Sequence, residues 1–122
     1  MTVVIVSKQK TYGTLTIPSI GTETTVIEVA GQSDDYMVEG YIDTSQLQTG
    51  DALTIKEYIA VDGYNYQLFI TRTVYGPVDE PVIRFHAKTL LNFMKYKVAV
   101  TQTSGTPRTL PYGFITEVMG TV

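Results

Sequence analysis

Residues 52–75 read ALTIKEYIAVDGYNYQLFITRTVY, and the fold class follows from how this stretch is parsed. Leu53, Ile55, Ile59 and Val61 recur with a period of two, so they share one face of an extended strand, with Glu57 as that face's polar exception. Asp62-Gly63 then supplies the turn chemistry of a tight hairpin. Beyond it Tyr66, Leu68, Ile70 and Val74 repeat the pattern, with Arg72 among them. The stretch predicts two antiparallel strands, with Glu57 and Arg72 paired as charges at the open edge of the core.

Working outward, the same alternation recurs in residues 2–6, 11–17, 23–30, 36–42, 82–88, 96–103 and 109–118, each rich in Val, Ile, Thr and Tyr. Residues 43–51 read as a connection with a tight turn around Leu47, whose side chain is expected to plug one end of the core. Pro111, inside the last run, argues for an edge position or a bulge, because proline donates nothing to a ladder. No window keeps a helical period. The expectation is all-β: residues 1–122 as a single β-sandwich domain of about eight short antiparallel strands. Jelly-roll and immunoglobulin-like topologies both remain open.

Composition bounds the partners. The chain has 122 residues, 43% hydrophobic and 17% charged, enough apolar content for a core. Nine Lys+Arg against twelve Asp+Glu give a net charge of −3, with the basic residues scattered. Nucleic-acid binding, which draws on a basic stripe, is not expected. Cysteine is absent, which removes disulfides, thiolate metal sites and cysteine nucleophiles. The start, MTVVIV, has no basic leader, and no run approaches a membrane span. The product is expected to be made and kept soluble in the cytoplasm, with no membrane partner.

Chemistry is sparse. His86, the only histidine, shares a strand face with Val82 and Arg84. A general base needs a nucleophile and an orienting carboxylate, and zinc needs three or four ligands. The pairs Asp34-Asp35 and Asp79-Glu80 fall in loops without a calcium-loop pattern. No glycine-rich phosphate loop is present. The expectation is no catalytic residue, no metal and no cofactor.

The surface speaks more clearly. Nine tyrosines, four phenylalanines and no tryptophan suit half-wet contact surfaces. Tyr64 and Tyr66 sit at a hairpin tip and are candidate contacts. Leu90, Leu91, Phe93 and Met94 occupy a connection that should be polar. They either fold back as a single helical turn over the open end or form a knob that enters a neighbour. Val3, Val4 and Ile5 form an apolar strand at the N-terminus, which either closes its own sheet or adds to a neighbour's edge.

The stretches YIDTSQLQTGDALTIKEYIAVDGYNY (residues 41–66), VIRFHAK (82–88) and KYKVAVTQTSGTPR (95–108) resemble small β-sandwich virion proteins of tailed phages and archaeal viruses. The resemblance covers roughly residues 41–114 and leaves the first forty unmatched; its motifs are strand-and-turn patterns. It departs at residues 90–94, where such proteins carry a short glycine-rich turn. It implies a non-enzymatic virion structural protein, most specifically a capsid decoration (cement) protein bridging coat subunits. The alternative is a tail or fibre module that binds a host glycan or another tail protein. Expected partners are the major capsid protein or other virion proteins and further copies of the chain, as a trimer or dimer. The expected location is the virion, after synthesis in the host cytoplasm.

Overall fold

The computed structural model describes residues 2–121. Eight antiparallel strands form two four-stranded sheets: β1 (Val3–Thr16), β2 (Thr24–Val29), β3 (Tyr36–Asp43), β4 (Ala52–Ala60), β5 (Gln67–Tyr75), β6 (Val82–Leu90), β7 (Lys95–Ser104) and β8 (Thr109–Thr121). One sheet runs β1-β8-β3-β6 and the other β2-β7-β4-β5. The all-β sandwich expected from the alternation is the observed architecture.

The order has a simple logic. First pairs with last, second with second-last, and so inward to the β4–β5 hairpin, as in one long antiparallel ribbon. Two further ladders, β3 with β8 and β4 with β7, close the folded ribbon into its two sheets. The immunoglobulin arrangement places the first two strands side by side in one sheet. Here β1 and β2 lie in different sheets.

The core lies between β8, β3 and β6 on one side and β2, β7 and β4 on the other. Val38, Ile42, Phe85 and Phe114 meet Leu53, Ile55, Val98 and Val100 there, and Leu47 closes one end as expected. Phe85 and Phe114 pack tilted with ring centres 5.1 Å apart. The partner of Phe114 on β3 is Gly40, and the ring lies over it. A Cβ at Gly40 would run into that ring and approach the Gly113 carbonyl oxygen to 2.6 Å. Gly40→Ala should therefore lose about 2 kcal/mol through overpacking. Urea unfolding checks this; a loss below about 0.5 kcal/mol would show that the ring can move aside.

Three expectations need correction. Residues 2–6 and 11–17 belong to one strand, β1, because pairing with β8 runs past the polar residues between them, with a bulge at Val6. Pro111 lies in β8, an interior strand, yet the ladder from β3 ends at Tyr112. At Pro111 the strand thus has a neighbour on one side only, a local edge that tolerates the missing donor. On β5 a bulge at Phe69 breaks the period, so Leu68 partners Tyr58 on the outer face while Ile70 partners Glu57 on the inner one.

Candidate contact surfaces

At one end of the sandwich three connections meet: residues 30–35, 61–66 and 91–94. Asp62 shapes the second. Its Oδ1 accepts the backbone N–H groups of Tyr64 and Asn65 at 2.8 Å each, and its Oδ2 accepts Asn65 Nδ2 at 2.8 Å. The Asn65 and Tyr64 amides, with the Asn65 side chain, hold the Asp62 carboxyl down to about 2. The tip presents Tyr64, 85% exposed, on a fixed backbone.

The 91–94 segment is a single β-turn, closed by the Met94 N–H donating to the Leu91 carbonyl at 2.9 Å; the helical turn allowed by the sequence does not form. It is tied to residues 32–36. The Asn92 N–H donates to Asp35 Oδ1 at 3.0 Å, and its carbonyl accepts the Gln32 N–H at 2.7 Å. The Tyr36 hydroxyl donates to the Met94 carbonyl at 2.7 Å, and burial raises that phenol to about 12. Asp34 accepts the Asp35 N–H, so the Asp34-Asp35 pair fastens loops. No group of three His, Cys, Asp or Glu able to hold a metal occurs among the described residues.

The turn divides the four apolar residues. Leu90 belongs to the core, 5% exposed, because it ends the inward-facing row of β6; as a contact candidate it is withdrawn. Met94 packs against the core and is only partly exposed. Leu91 and Phe93 point outward, each about half exposed.

Tyr66 is a correction of a similar kind. It lies along the outer face of the second sheet, its hydroxyl donating to Glu28 at 2.7 Å, with Lys97 Nζ 4.7 Å from the ring centre. Burial, and then Glu28, raise its phenol well above the usual range. The same ammonium lies 5.0 Å from the Tyr58 ring, whose hydroxyl donates to Glu23 at 2.8 Å. Tyr66 is thus engaged within the sheet, and Tyr64 alone of the two faces outward.

Val3, Val4 and Ile5 lie in β1, paired with β8 of their own sheet; Val3 and Ile5 are exposed and Val4 is half-buried. At the opposite edge of the sandwich, in the other sheet, β5 exposes Leu68, Phe69 and Ile70 in succession. The β1 edge carries Lys8, Lys10 and a bulge, devices that discourage edge pairing, whereas β5 offers its bulge and Arg72.

The expected Glu57–Arg72 pair does not form. Arg72 partners Ile55 at the overhanging edge, where it is exposed. Glu57 is instead met from both sheets: from its own, the Tyr96 hydroxyl on β7 donates to its Oε1 at 2.5 Å, and from the opposite one Lys88 Nζ on β6 lies 3.4 Å away. The ammonium also lies 4.6 Å from the Tyr96 ring centre. Burial raises the Tyr96 phenol strongly, reinforced by Glu57. Burial lowers Lys88, and Glu57 offsets this only in part. His86 is exposed on β6, and no carboxylate hydrogen-bonds its ring among the described residues.

A further feature escaped the sequence reading. On the outer face of the first sheet, Tyr12, Gly113, Tyr41 and Arg84 form one cross-strand row from β1 through β8 and β3 to β6. The next row runs Lys10, Ile115, Glu39. Apart from Arg84, these residues line a cleft of about 280 Å³, floored by Gly113 and flanked by the two tyrosines. Its signal in the sequence is a Tyr/Gly dipeptide in each of three strands: Tyr12-Gly13, Gly40-Tyr41 and Tyr112-Gly113. Only the register shows that these strands are adjacent.

No family model matches the chain, and no curated protein matches it. Among solved structures, it is similar to the infectious bursal disease virus VP2 subviral particle, at 12% identity over 92% of this chain, with a TM-score of 0.48. Structures of the Gx and Gt strains of the same virus match over 96% of this chain, at 11% and 12% identity, with TM-scores of 0.43 and 0.37. The chain spans about a third of the length of those chains, 32% of the first two and 37% of the third. At this similarity the likeness carries no inference about what the chain does.

Proposed function

We propose that this chain is a non-enzymatic virion structural protein, one module over residues 1–122, that decorates a capsid by bridging coat subunits. The observation that carries the reading is the locked loop end. The 30–35 and 91–94 connections are hydrogen-bonded to each other and Asp62 fixes the 61–66 turn beside them, yet Tyr64, Leu91 and Phe93 point away from the body. Side chains fixed in advance lose little freedom on docking, which suits an adhesive surface. Aromatic groups with an apolar body are the usual anchors of such contacts. The strand order adds support, because it matches the jelly roll, a scaffold that hosts viral capsid and lectin domains. Fold alone does not assign function.

In this reading the module is made in the host cytoplasm and ends in the virion, against the major capsid protein or another coat component. The exposed apolar side chains of Val3 and Ile5 on β1 and of residues 68–70 on β5, rather than backbone pairing along those edges, are the surfaces through which copies would form a dimer or trimer. Imaging of intact particles tests the location: many copies at symmetry positions are expected, and absence of the chain would overturn it. A few copies at the tail would favour the second reading, a tail or fibre module, for which the Tyr12–Tyr41 cleft is the supporting observation. The docking surface has its own test. Tyr64→Ala with Phe93→Ala should weaken particle binding at least about tenfold while leaving unfolding within about 0.5 kcal/mol of the parent. Undiminished binding would place the contact elsewhere.

A further inference from the structure

We infer that the cleft between Tyr12 and Tyr41 is a subsite for one pyranose ring of a carbohydrate. This goes beyond coat bridging and deepens the second reading, on which it rests, by naming the ligand class of the cleft that supports it. The argument starts at Gly113. A glycine inside a strand costs about 0.5–1 kcal/mol relative to alanine, so its presence calls for a reason. The fold supplies none. Gly113 is not among the glycines with positive φ, and neither of its ladders has a register shift there. A Cβ would find its nearest neighbour, the Tyr12 Cβ, at 3.9 Å, an ordinary contact.

Two other glycines of this sheet show what a fold-driven requirement looks like. Gly40 lies beneath the Phe114 ring, and Gly13 is covered by Tyr112, whose hydroxyl would be 3.4 Å from a Cβ. No ring covers Gly113 in that way. Tyr12 and Tyr41, its direct partners on either side, are 76% and 50% exposed. The missing side chain leaves a floor open between two phenol rings. Strand glycines of this kind mark the close approach of something else.

The chemistry of walls and rim selects the occupant. Walls and floor are apolar, while the adjacent row brings an ammonium, Lys10, and a carboxylate, Glu39, to either side of Ile115. A pyranose matches this division. Its C–H faces stack on aromatic rings, and its hydroxyls both donate and accept, so one edge can satisfy Lys10 and Glu39 together. A proline or aliphatic side chain would fill the slot but leave both charged groups desolvated without partners. A nucleotide would bring phosphate beside Glu39 on a chain of net charge −3. One open slot implies weak binding per copy, about 1 mM, which many copies on one particle would multiply.

The test is an amide-resolved NMR titration of the intact chain with the methyl glycosides of glucose, galactose, mannose and N-acetylglucosamine. At least one should shift the Gly113 and Ile115 amides, and Gly113→Val, which fills the floor with a residue suited to strands, should weaken that response at least about tenfold. Tyr12→Ala, at an exposed position on the edge strand, should do the same and serves if the valine variant misfolds. The proposal is overturned if no glycoside moves those amides, or if either folded variant binds as well as the parent. It is equally overturned if a tetraproline peptide moves them and no sugar does, since the slot would then hold a protein segment.

Discussion

Asp51→Ala is expected to lose about 3 kcal/mol of stability, although Asp51 lies in a connection outside the hydrophobic core. Its carboxylate is buried and accepts from Arg108 Nε at 2.6 Å, the Gln48 N–H at 2.7 Å and the Thr106 N–H at 3.1 Å. Its carbonyl accepts the Gly76 N–H at 3.0 Å, so three connections converge on one residue. Gly105, at φ 90°, backs against it so closely that a Cβ there would lie 2.8 Å from the Asp51 Cα. Truncation strands two backbone donors. The Arg108 charge, on a side chain 28% exposed, can partly recover water, which keeps the expected loss toward the lower end for broken buried pairs. Asp51→Asn keeps an acceptor and should lose less.

The acid limb gives a second readout. Burial pushes the Asp51 carboxyl up, but the Arg108 hydrogen bond, the Gln48 and Thr106 amides and the Arg108 charge together pull it below its ordinary 3.8. A carboxyl depressed in the folded state contributes fully above the unfolded value, and the contribution is lost as pH falls through the folded one. The parent should therefore shed stability below about pH 4 more steeply than Asp51→Asn. Urea unfolding at neutral and acid pH measures both, and an Asp51→Ala variant within 1 kcal/mol of the parent would refute the hub role.

The second large effect belongs to Lys88. Lys88→Met should lose about 3 kcal/mol, because it leaves the Glu57 carboxylate buried with Tyr96 as its remaining side-chain donor. Replacing the whole cluster, as Glu57→Leu with Lys88→Met and Tyr96→Phe, should recover most of that loss, since no polar group is then stranded. Such a reversal is the signature of mutual dependence, and a mutant cycle on urea midpoints resolves it. Additive losses across the three sites would contradict it. The cluster also bears on register. β6 carries an irregularity between the partners of Val38 and Gly40, next to Lys88, where the hydrophobic pattern alone specifies pairing weakly. A one-residue slip would turn Lys88 away from Glu57, so the polar contact penalises the wrong register.

Much of the scaffold was legible in single residues. Period two in residues 53–59 gave the inward face of β4, and Leu47 announced its place at the end of the core. The weak points were those where alternation breaks. The extra residue at Phe69 reversed the assignment of Leu68, and the continuous ladder to β8 merged two apparent strands into β1. The contact candidates divided for similar reasons: Leu90 ends an inward row while Leu91 begins a turn, and apolar composition cannot tell them apart.

By itself, the sequence determined that the chain would fold as strands around a two-sided core, because side-chain alternation is a local property of an extended backbone. Tertiary structure alone decided which strands became neighbours. It thereby joined Glu57 to Lys88 across the sheets and to Tyr96 within its own sheet, and set Tyr12 and Tyr41 on either side of Gly113. Those partners are distant in the chain. Period two states which face a residue occupies but carries no record of the strand beside it.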